Sequence, residues 1–142
     1  MARTYHAFFR HGAYHQWAGV PSARQPRALT EDGAAQAREG AALLARMLAE
    51  HGLSLAPVAF CSRQLRARQT ADLLIGALRA QGHDIADLRE TSALAERGLG
   101  SAANLTVARI EEALAADPRH ARPRGAGSRT AITACRWKAP KA

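Results

Sequence analysis

Residues 57–66 read Pro57-Val58-Ala59-Phe60-Cys61-Ser62-Arg63-Gln64-Leu65-Arg66, and they give the clearest indication of the fold class. Its apolar run over residues 57–61 predicts a short buried strand that ends at Ser62. Beyond the strand, apolar positions recur at helical spacing until Gly82, namely at Leu65, Leu73, Leu74 and Leu78. The stretch therefore predicts a strand, a loop and a helix in immediate succession.

The same succession precedes this unit. The β-prone run Thr4-Tyr5-His6-Ala7-Phe8-Phe9 leads directly into Arg10-His11-Gly12, so we predict a buried strand that ends in a loop. Thr30 predicts the start of a helix, because two acidic residues and an apolar stripe at helical spacing follow it. We expect this helix to end near Gly52, since glycine readily adopts the left-handed conformation that ends helices.

A third unit follows in the second half of the chain. We predict a strand within residues 83–94, and then a helix that is capped by Thr106 and ends before Pro118. Strands that alternate with helices favour a three-layer α/β/α fold with parallel strand pairing. In such sheets the ligand site lies at the carboxyl ends of the strands. Four polar residues closely follow predicted strand ends and are expected to converge there: Arg10, His11, Ser62 and Arg66.

The length and composition restrict the class of protein. A chain of 142 residues fits one compact domain with its own core. No apolar run approaches the roughly 20 residues that cross a bilayer, and the N-terminus does not resemble a secretion signal, so we expect a cytoplasmic protein without a membrane partner. Cys61 and Cys135 lie far apart and lack metal-ligand spacing, which argues against a disulfide framework and a zinc site.

The net charge of +8 is unevenly distributed along the chain. Residues 1–118 contain 13 arginines and all 12 acidic residues, for a net charge of +1, whereas residues 119–142 contain seven cations and no acid. The basicity therefore belongs to the C-terminal segment. Such a segment would make salt-sensitive contacts with nucleic-acid phosphates, but no aromatic platform or recognition helix accompanies it. We do not expect nucleic acid as a partner.

Arg10, His11, Gly12 and Arg66 supply what a phosphomonoester site requires. Such a site needs cations that hold a dianion and a nucleophile that accepts the phosphoryl group. The guanidinium groups of Arg10 and Arg66 match phosphate oxygens with two parallel donors each. The neutral imidazole of His11 is the candidate nucleophile, and nearby arginines favour its neutral form. Gly12 allows the backbone to come close to the phosphate.

Four segments within residues 5–100 carry a family resemblance. They are Phe9–Gly12, Leu29–Ala37, Ser62–Ala71 and Leu94–Gly100. In this order they resemble the RHG, LTxxGxxQA, SxxxRAxQTA and LxERxxG motifs of the histidine phosphatase superfamily, to which phosphoglycerate mutases and phosphohistidine phosphatases belong. The chain is closest in size to the short bacterial phosphohistidine phosphatases.

The resemblance implies a fold and a set of roles. The fold is a phosphoglycerate mutase-like three-layer α/β/α sheet, in which His11 is phosphorylated, Arg66 binds the phosphate and Glu96 is the general acid or base. We expect a phosphatase that acts on a phosphorylated small molecule or a phosphoprotein and needs no cofactor. We expect no metal, because His15 follows His11 in a loop. Further candidate substrate contacts are Ser62, Tyr14 and Gln16.

The family pattern is incomplete at the C-terminal end of the sequence. A second histidine on a late apolar strand and the glycine-rich segment before it are both missing, and His120 follows a predicted helix instead. We therefore predict an incomplete family domain over residues 1–120, without its last strand or strands, and a basic tail over residues 121–142. The alternative function is a catalytically impaired, phosphate-binding remnant, and a third is a nucleic-acid binder that acts through the tail.

The tail itself has two interpretations. It contains the only lysines of the chain, Lys138 and Lys141, and shows no amphipathic period. It is either a native basic tail or the product of a reading frame lost near Arg124, since a back-translation read two bases over ends in a Gly-Ala-Glu-Ser segment that resembles the missing motif. Sequencing the downstream DNA distinguishes the two, because only a lost frame predicts a downstream apolar strand that ends in His-Gly.

Overall fold

A computed structural model describes residues 3–21, 24–96, 98 and 100–120. Within these ranges the elements are helices α1 (Glu31–His51), α2 (Leu65–Ala80) and α3 (Val107–Ala116), strands β1 (Val58–Ser62) and β2 (Asp87–Thr91), and short 3-10 helices at Ser92–Leu94, Gly100–Ala102 and Pro118–His120. No helix in this part of the chain combines the length and the apolar character needed to span a bilayer. The predicted basic tail over residues 121–142 lies outside the described residues.

β1 and β2 form a parallel two-stranded sheet, in which Val58 lies opposite Asp87 and Ser62 lies opposite Thr91. Parallel neighbours need a crossover connection, and α2 provides it. Both strands, and the helix between them, occur where the sequence predicts them. The alternation of strands and helices and the parallel pairing confirm the α/β class of the fold.

The ends of the helices follow from local chemistry. The Thr30 hydroxyl caps α1 by accepting a hydrogen bond from the Gly33 N–H at 3.1 Å. Gly52 ends this helix with a φ of 59°, in the left-handed region that glycine enters without steric cost. Thr106 caps α3 in the same manner, by accepting from the Arg109 N–H at 3.3 Å. The three helix ends predicted at Thr30, Gly52 and Thr106 are confirmed.

The hydrophobic core joins α1 and α2 to the sheet. Its buried cluster consists of Ala41, Leu74, Ile75, Leu78 and Ile85. Ala41 comes from α1 and Ile85 from the segment before β2, while α2 supplies the other three residues. Ala59 of β1 and Leu88 of β2 pack against this cluster. The core therefore holds α2 firmly on the sheet, with the start of the helix beside the end of β1.

The predicted strand over residues 4–9 is wrong, because this segment is paired with no strand of the described structure. Its phenylalanines show the consequence: Phe8 is 84% exposed, whereas the Phe9 ring lies against Gly40 of α1. A cavity of about 930 Å³ is lined both by residues 5–11 and by β1. The segment has the composition of a strand, but among the described residues no adjacent backbone pairs with it.

Candidate active site

The loop that carries His11 is fixed by backbone hydrogen bonds to the residues before α1. The His15 N–H donates to the Ala28 carbonyl at 3.0 Å, and the Thr30 N–H donates to the Ala13 carbonyl at 3.0 Å. These bonds pair Tyr14 with Leu29 in an isolated antiparallel bridge. The bridge holds the residues that follow His11 against the N-terminus of α1.

Two glycines allow this loop to touch α1 directly. A Cβ atom at Gly12 would lie 2.3 Å from the Gly33 carbonyl oxygen, and one at Gly33 would lie 1.9 Å from the Ala13 carbonyl oxygen. Both distances are far below van der Waals contact, so neither position tolerates a side chain without backbone movement. The close approach that glycine permits at position 12 is therefore to α1, and the predicted contact of Gly12 with phosphate stays a prediction.

Thr70 connects the same loop to α2. Its hydroxyl accepts a hydrogen bond from the Gly12 N–H at 3.1 Å and donates to the Arg66 carbonyl at 2.7 Å. The side chains of Gln36 and Gln69 fix the neighbouring backbone, because they accept from the Ala13 and Leu29 N–H groups respectively, each at 2.9 Å. The segments that resemble family motifs therefore hold one another through side-chain to backbone bonds.

The imidazole of His11 has a defined tautomer. Its Nδ1 lies 2.9 Å from the Gly12 carbonyl oxygen, and because a carbonyl can only accept, Nδ1 carries the proton and Nε2 presents its lone pair. Burial lowers the pKa of His11 below its ordinary value of 6.5, and the charges of Arg66 and Arg10 lower it further, while the Gly12 hydrogen bond and Glu96 act in the opposite direction. The neutral, nucleophilic form is favoured.

Arg66 lies in the first turn of α2 and is only 1% exposed. Its Nη1 donates to the Gln25 carbonyl at 3.3 Å, and its Nη2 donates to Glu96 Oε2 at 3.3 Å. The guanidinium carbon lies 4.6 Å from the centre of the Tyr14 ring. A buried cation requires partners of this kind, because desolvation without them is costly.

Gln25 supports Arg66 in the site and was not identified from the sequence. It is 2% exposed, its Oε1 accepts from the Trp17 N–H at 2.8 Å, and its Nε2 donates to the Val20 carbonyl at 3.1 Å. Its side chain thereby fixes the loop from which its own carbonyl meets Arg66. Thr70 was also missed: it lies in a family-like segment, but the pattern does not reveal which groups its hydroxyl joins.

The structure brings most of the predicted site residues together. Arg10, His11, Ser62 and Glu96 line the 930 Å³ cavity, while Arg66 and Tyr14 contact this group through Glu96 and His11. Ser62 is buried at the end of β1, and its hydroxyl accepts from the Gln64 N–H at 3.4 Å. Gln16 is the exception, since its amide donates to the Val20 carbonyl at 3.3 Å and it does not line the cavity.

His11, Arg10 and Glu96 line one cavity, and the buried guanidinium of Arg66 donates to the carboxylate of Glu96 behind it. Among the described residues, no three His, Cys, Asp or Glu side chains are grouped closely enough to hold a metal ion. A nucleophilic nitrogen near arginine side chains is suited to the transfer of a phosphoryl group from an oxygen to the protein. The carboxylate of Glu96 is exposed, so a substrate can reach it directly.

Comparison with known proteins agrees with this chemistry. The family model of the histidine phosphatase superfamily (branch 1) matches residues 7–134, a span that includes His11, Arg66 and Glu96 and extends beyond the described residues. No curated protein matches the chain. Members of this superfamily are generally phosphohydrolases or phosphomutases, and both activities act on phosphorylated substrates. The chain belongs to branch 1 of the histidine phosphatase superfamily.

Proposed function

We propose that this chain is a phosphohydrolase that acts on phosphomonoesters or phosphoproteins and forms a phosphohistidine at His11. The observation that carries the proposal is the convergence of His11 and Arg66, whose side chains contact the same Tyr14 ring although 55 residues separate them in sequence. The Nε2 lone pair of His11 is the nucleophile, since Nδ1–H is engaged by the Gly12 carbonyl.

Arg66 and Arg10 hold the phosphoryl group. The Arg66 guanidinium is fixed from two sides by Gln25 and Tyr14, so the cation itself need not move when the anion arrives. Arg10 is exposed at the cavity and already acts on the charge of His11. Together the fixed cation of Arg66 and the exposed cation of Arg10 would stabilise the charge on the equatorial oxygens in the transition state.

Glu96 occupies the position on Arg66 Nη2 that a phosphate oxygen would take. Its side chain is exposed and reaches Arg66 from the solvent side, so an incoming dianion can displace it at small cost. Once displaced, this carboxylate takes up a proton from solvent and transfers it to the leaving oxygen as the P–O bond breaks and the P–N bond forms at His11. In the second step it accepts a proton from water, which attacks phosphorus and releases inorganic phosphate from His11.

The proposal is tested by trapping the phosphoenzyme. We expect the full chain to hydrolyse p-nitrophenyl phosphate and to form a labelled phosphoprotein after an alkaline denaturing quench, because a phosphoramidate is labile in acid. His11→Ala should lose both signals. His15→Ala is the matched control, since this histidine is exposed in the same loop and should retain both. Equal turnover in His11→Ala and the unchanged chain would refute the assignment.

A catalytically impaired, phosphate-binding remnant is the second candidate function. This alternative is favoured by the contacts of Arg66, because its Nη1 already donates to the Gln25 carbonyl and its Nη2 to Glu96 in the described structure. Binding of inorganic phosphate without turnover and without a His11 adduct would identify this alternative. We also propose residues 1–120 as the family-like domain and residues 121–142 as a separate basic segment, a division based on the change in charge along the sequence, whereas the family match continues to residue 134.

A further inference from the structure

The ring of Tyr14 contacts both groups on which the proposed chemistry depends. The Arg66 guanidinium carbon lies over the ring at 4.6 Å from its centre. The imidazole of His11 lies 5.3 Å away, with the two ring planes at 84°. The first distance is well within the range of a cation–π interaction, and the second geometry is the edge-to-face arrangement that aromatic pairs prefer.

The backbone of Tyr14 is fixed independently of these two contacts. It is paired with Leu29 by the antiparallel bridge, and the adjacent residues donate and accept the two hydrogen bonds of that bridge. The ring is half-buried, and the loop that carries it is held to the residues before α1 by these bonds. Because its backbone is fixed in this way, the side chain of Tyr14 can set the positions of the side chains that contact it.

We propose that Tyr14 is a positioning residue that sets the distance and orientation between the His11 imidazole and the Arg66 guanidinium. The inference deepens the proposed function and rests on it for its catalytic consequence. It assigns the role to the face of the ring and not to the hydroxyl group, because both contacts are made by the ring. Tyr14 therefore acts through His11 and Arg66 and need not touch the substrate.

The direct test replaces Tyr14 in the full chain by phenylalanine and by leucine and measures the affinity for inorganic phosphate by calorimetry. Tyr14→Phe should bind as the unchanged chain does, because the ring face is retained. Tyr14→Leu should bind about two- to thirty-fold more weakly, the factor expected when a partly buried cation–π contact is lost. Trp17→Leu is the matched control, since that ring lies in the same loop but stacks on Arg27.

A series of fluorinated phenylalanines at position 14 separates the electrostatic role from packing. Each fluorine weakens the negative face of the ring with little change in shape, so phosphate affinity should fall stepwise along the series. If Tyr14→Leu does not fold, these variants still test whether the ring of Tyr14 contributes to phosphate affinity. Constant affinity across the series, or an equal loss in Tyr14→Phe and Tyr14→Leu, would overturn the proposal.

A second readout does not depend on turnover. The imidazole pKa of His11 is followed by NMR, with His11→Gln used to assign the resonance. Tyr14→Leu should raise this pKa toward its ordinary value, because the smaller side chain leaves the imidazole more solvated, and Tyr14→Phe should not change it. If the chain has no phosphatase activity but both readouts respond as expected, the proposed function fails and the role of Tyr14 stands.

Discussion

Arg66 and Glu96 form an ion pair at 3.3 Å in which the guanidinium is 1% exposed and the carboxylate side chain is 61% exposed. The two partners thus differ in what holds them. Arg66 is also bound by Gln25 and covered by Tyr14, whereas Glu96 reaches the pair from solvent. An anion that competes for Arg66 would therefore move the carboxylate and leave the cation in place.

The first prediction follows from this asymmetry. Glu96→Gln should raise the affinity for inorganic phosphate by up to about fivefold, because a half-exposed competing charge contributes about 0.2–1 kcal/mol. The same change should lower the turnover of p-nitrophenyl phosphate by about a hundredfold or more through loss of the proton donor. Calorimetry and steady-state kinetics measure the two effects. Glu112→Gln, which removes an exposed ion pair with Arg109 on α3, is the control and should change neither quantity. A fall in both affinity and turnover in Glu96→Gln would contradict the displacement of Glu96 by phosphate.

The second prediction concerns pH. Burial lowers the pKa of His11 below 6.5, assisted by Arg66 and Arg10 and opposed by the Gly12 carbonyl and Glu96. Because the neutral imidazole is the nucleophile, the acid limb of kcat/KM should lie below pH 6.5. The free energy of unfolding should change over the same pH range, because the imidazole of His11 binds fewer protons in the folded chain than in the unfolded one. The contribution of His11 to stability is present above pH 6.5 and is lost as the pH falls through the lowered pKa. Urea unfolding between pH 5 and 8 should show this slope in the unchanged chain and a smaller one in His11→Gln.

The third prediction concerns the hydroxyl group of Thr70. Thr70→Val keeps the shape of the side chain but removes the acceptor of the Gly12 N–H and the donor to the Arg66 carbonyl. The free energy of unfolding should fall by about 1–3 kcal/mol, because a buried N–H loses its partner. Thr70→Ser retains the hydroxyl and should cost less, and a valine variant as stable as the unchanged chain would show that the two hydrogen bonds do not stabilise the fold. Chemical denaturation measures both variants.

The fourth prediction uses the glycine pair. Gly33→Ala should destabilise the fold by several kcal/mol or prevent folding, because its Cβ atom would lie 1.9 Å from the Ala13 carbonyl oxygen. Gly76→Ala is the opposite case, since a Cβ atom there meets nothing within 4 Å and the residue lies inside α2. That variant should be more stable by about 0.5–1 kcal/mol. Thermal unfolding of the two variants should move in opposite directions, and equal shifts would show that α1 and the loop do not meet as described.

The helices and the two paired strands could be predicted because their signals are local. Thr30, Gly52 and Thr106 each cap a helix through atoms within a few residues in sequence, and the run before Ser62 is bounded by its own turn. The prediction of a strand over residues 4–9 was wrong for the opposite reason. Its composition is that of a strand, but pairing depends on a neighbouring backbone that no local pattern reports.

We predicted that the site residues converge because ligand sites lie beyond the carboxyl ends of strands. This rule holds for Arg66, which follows β1. His11 reaches the same place from a segment that is not a strand, held instead by Thr70 and the bridge at Tyr14. The role of Gln25 could not be predicted, because nothing in a loop sequence states which carbonyl will face a buried guanidinium. Contacts of that kind follow from the tertiary structure alone.

Within the part of the chain that the structure describes, β1 has two different edges, one paired with β2 and the other facing the cavity. Successive N–H groups of a strand point to opposite sides. Hydrogen–deuterium exchange should therefore alternate along the five residues of β1, with slow amides directed at β2 and fast amides beside them directed at the open side. One short strand would thus record both the global stability of the fold and the ease with which water enters it.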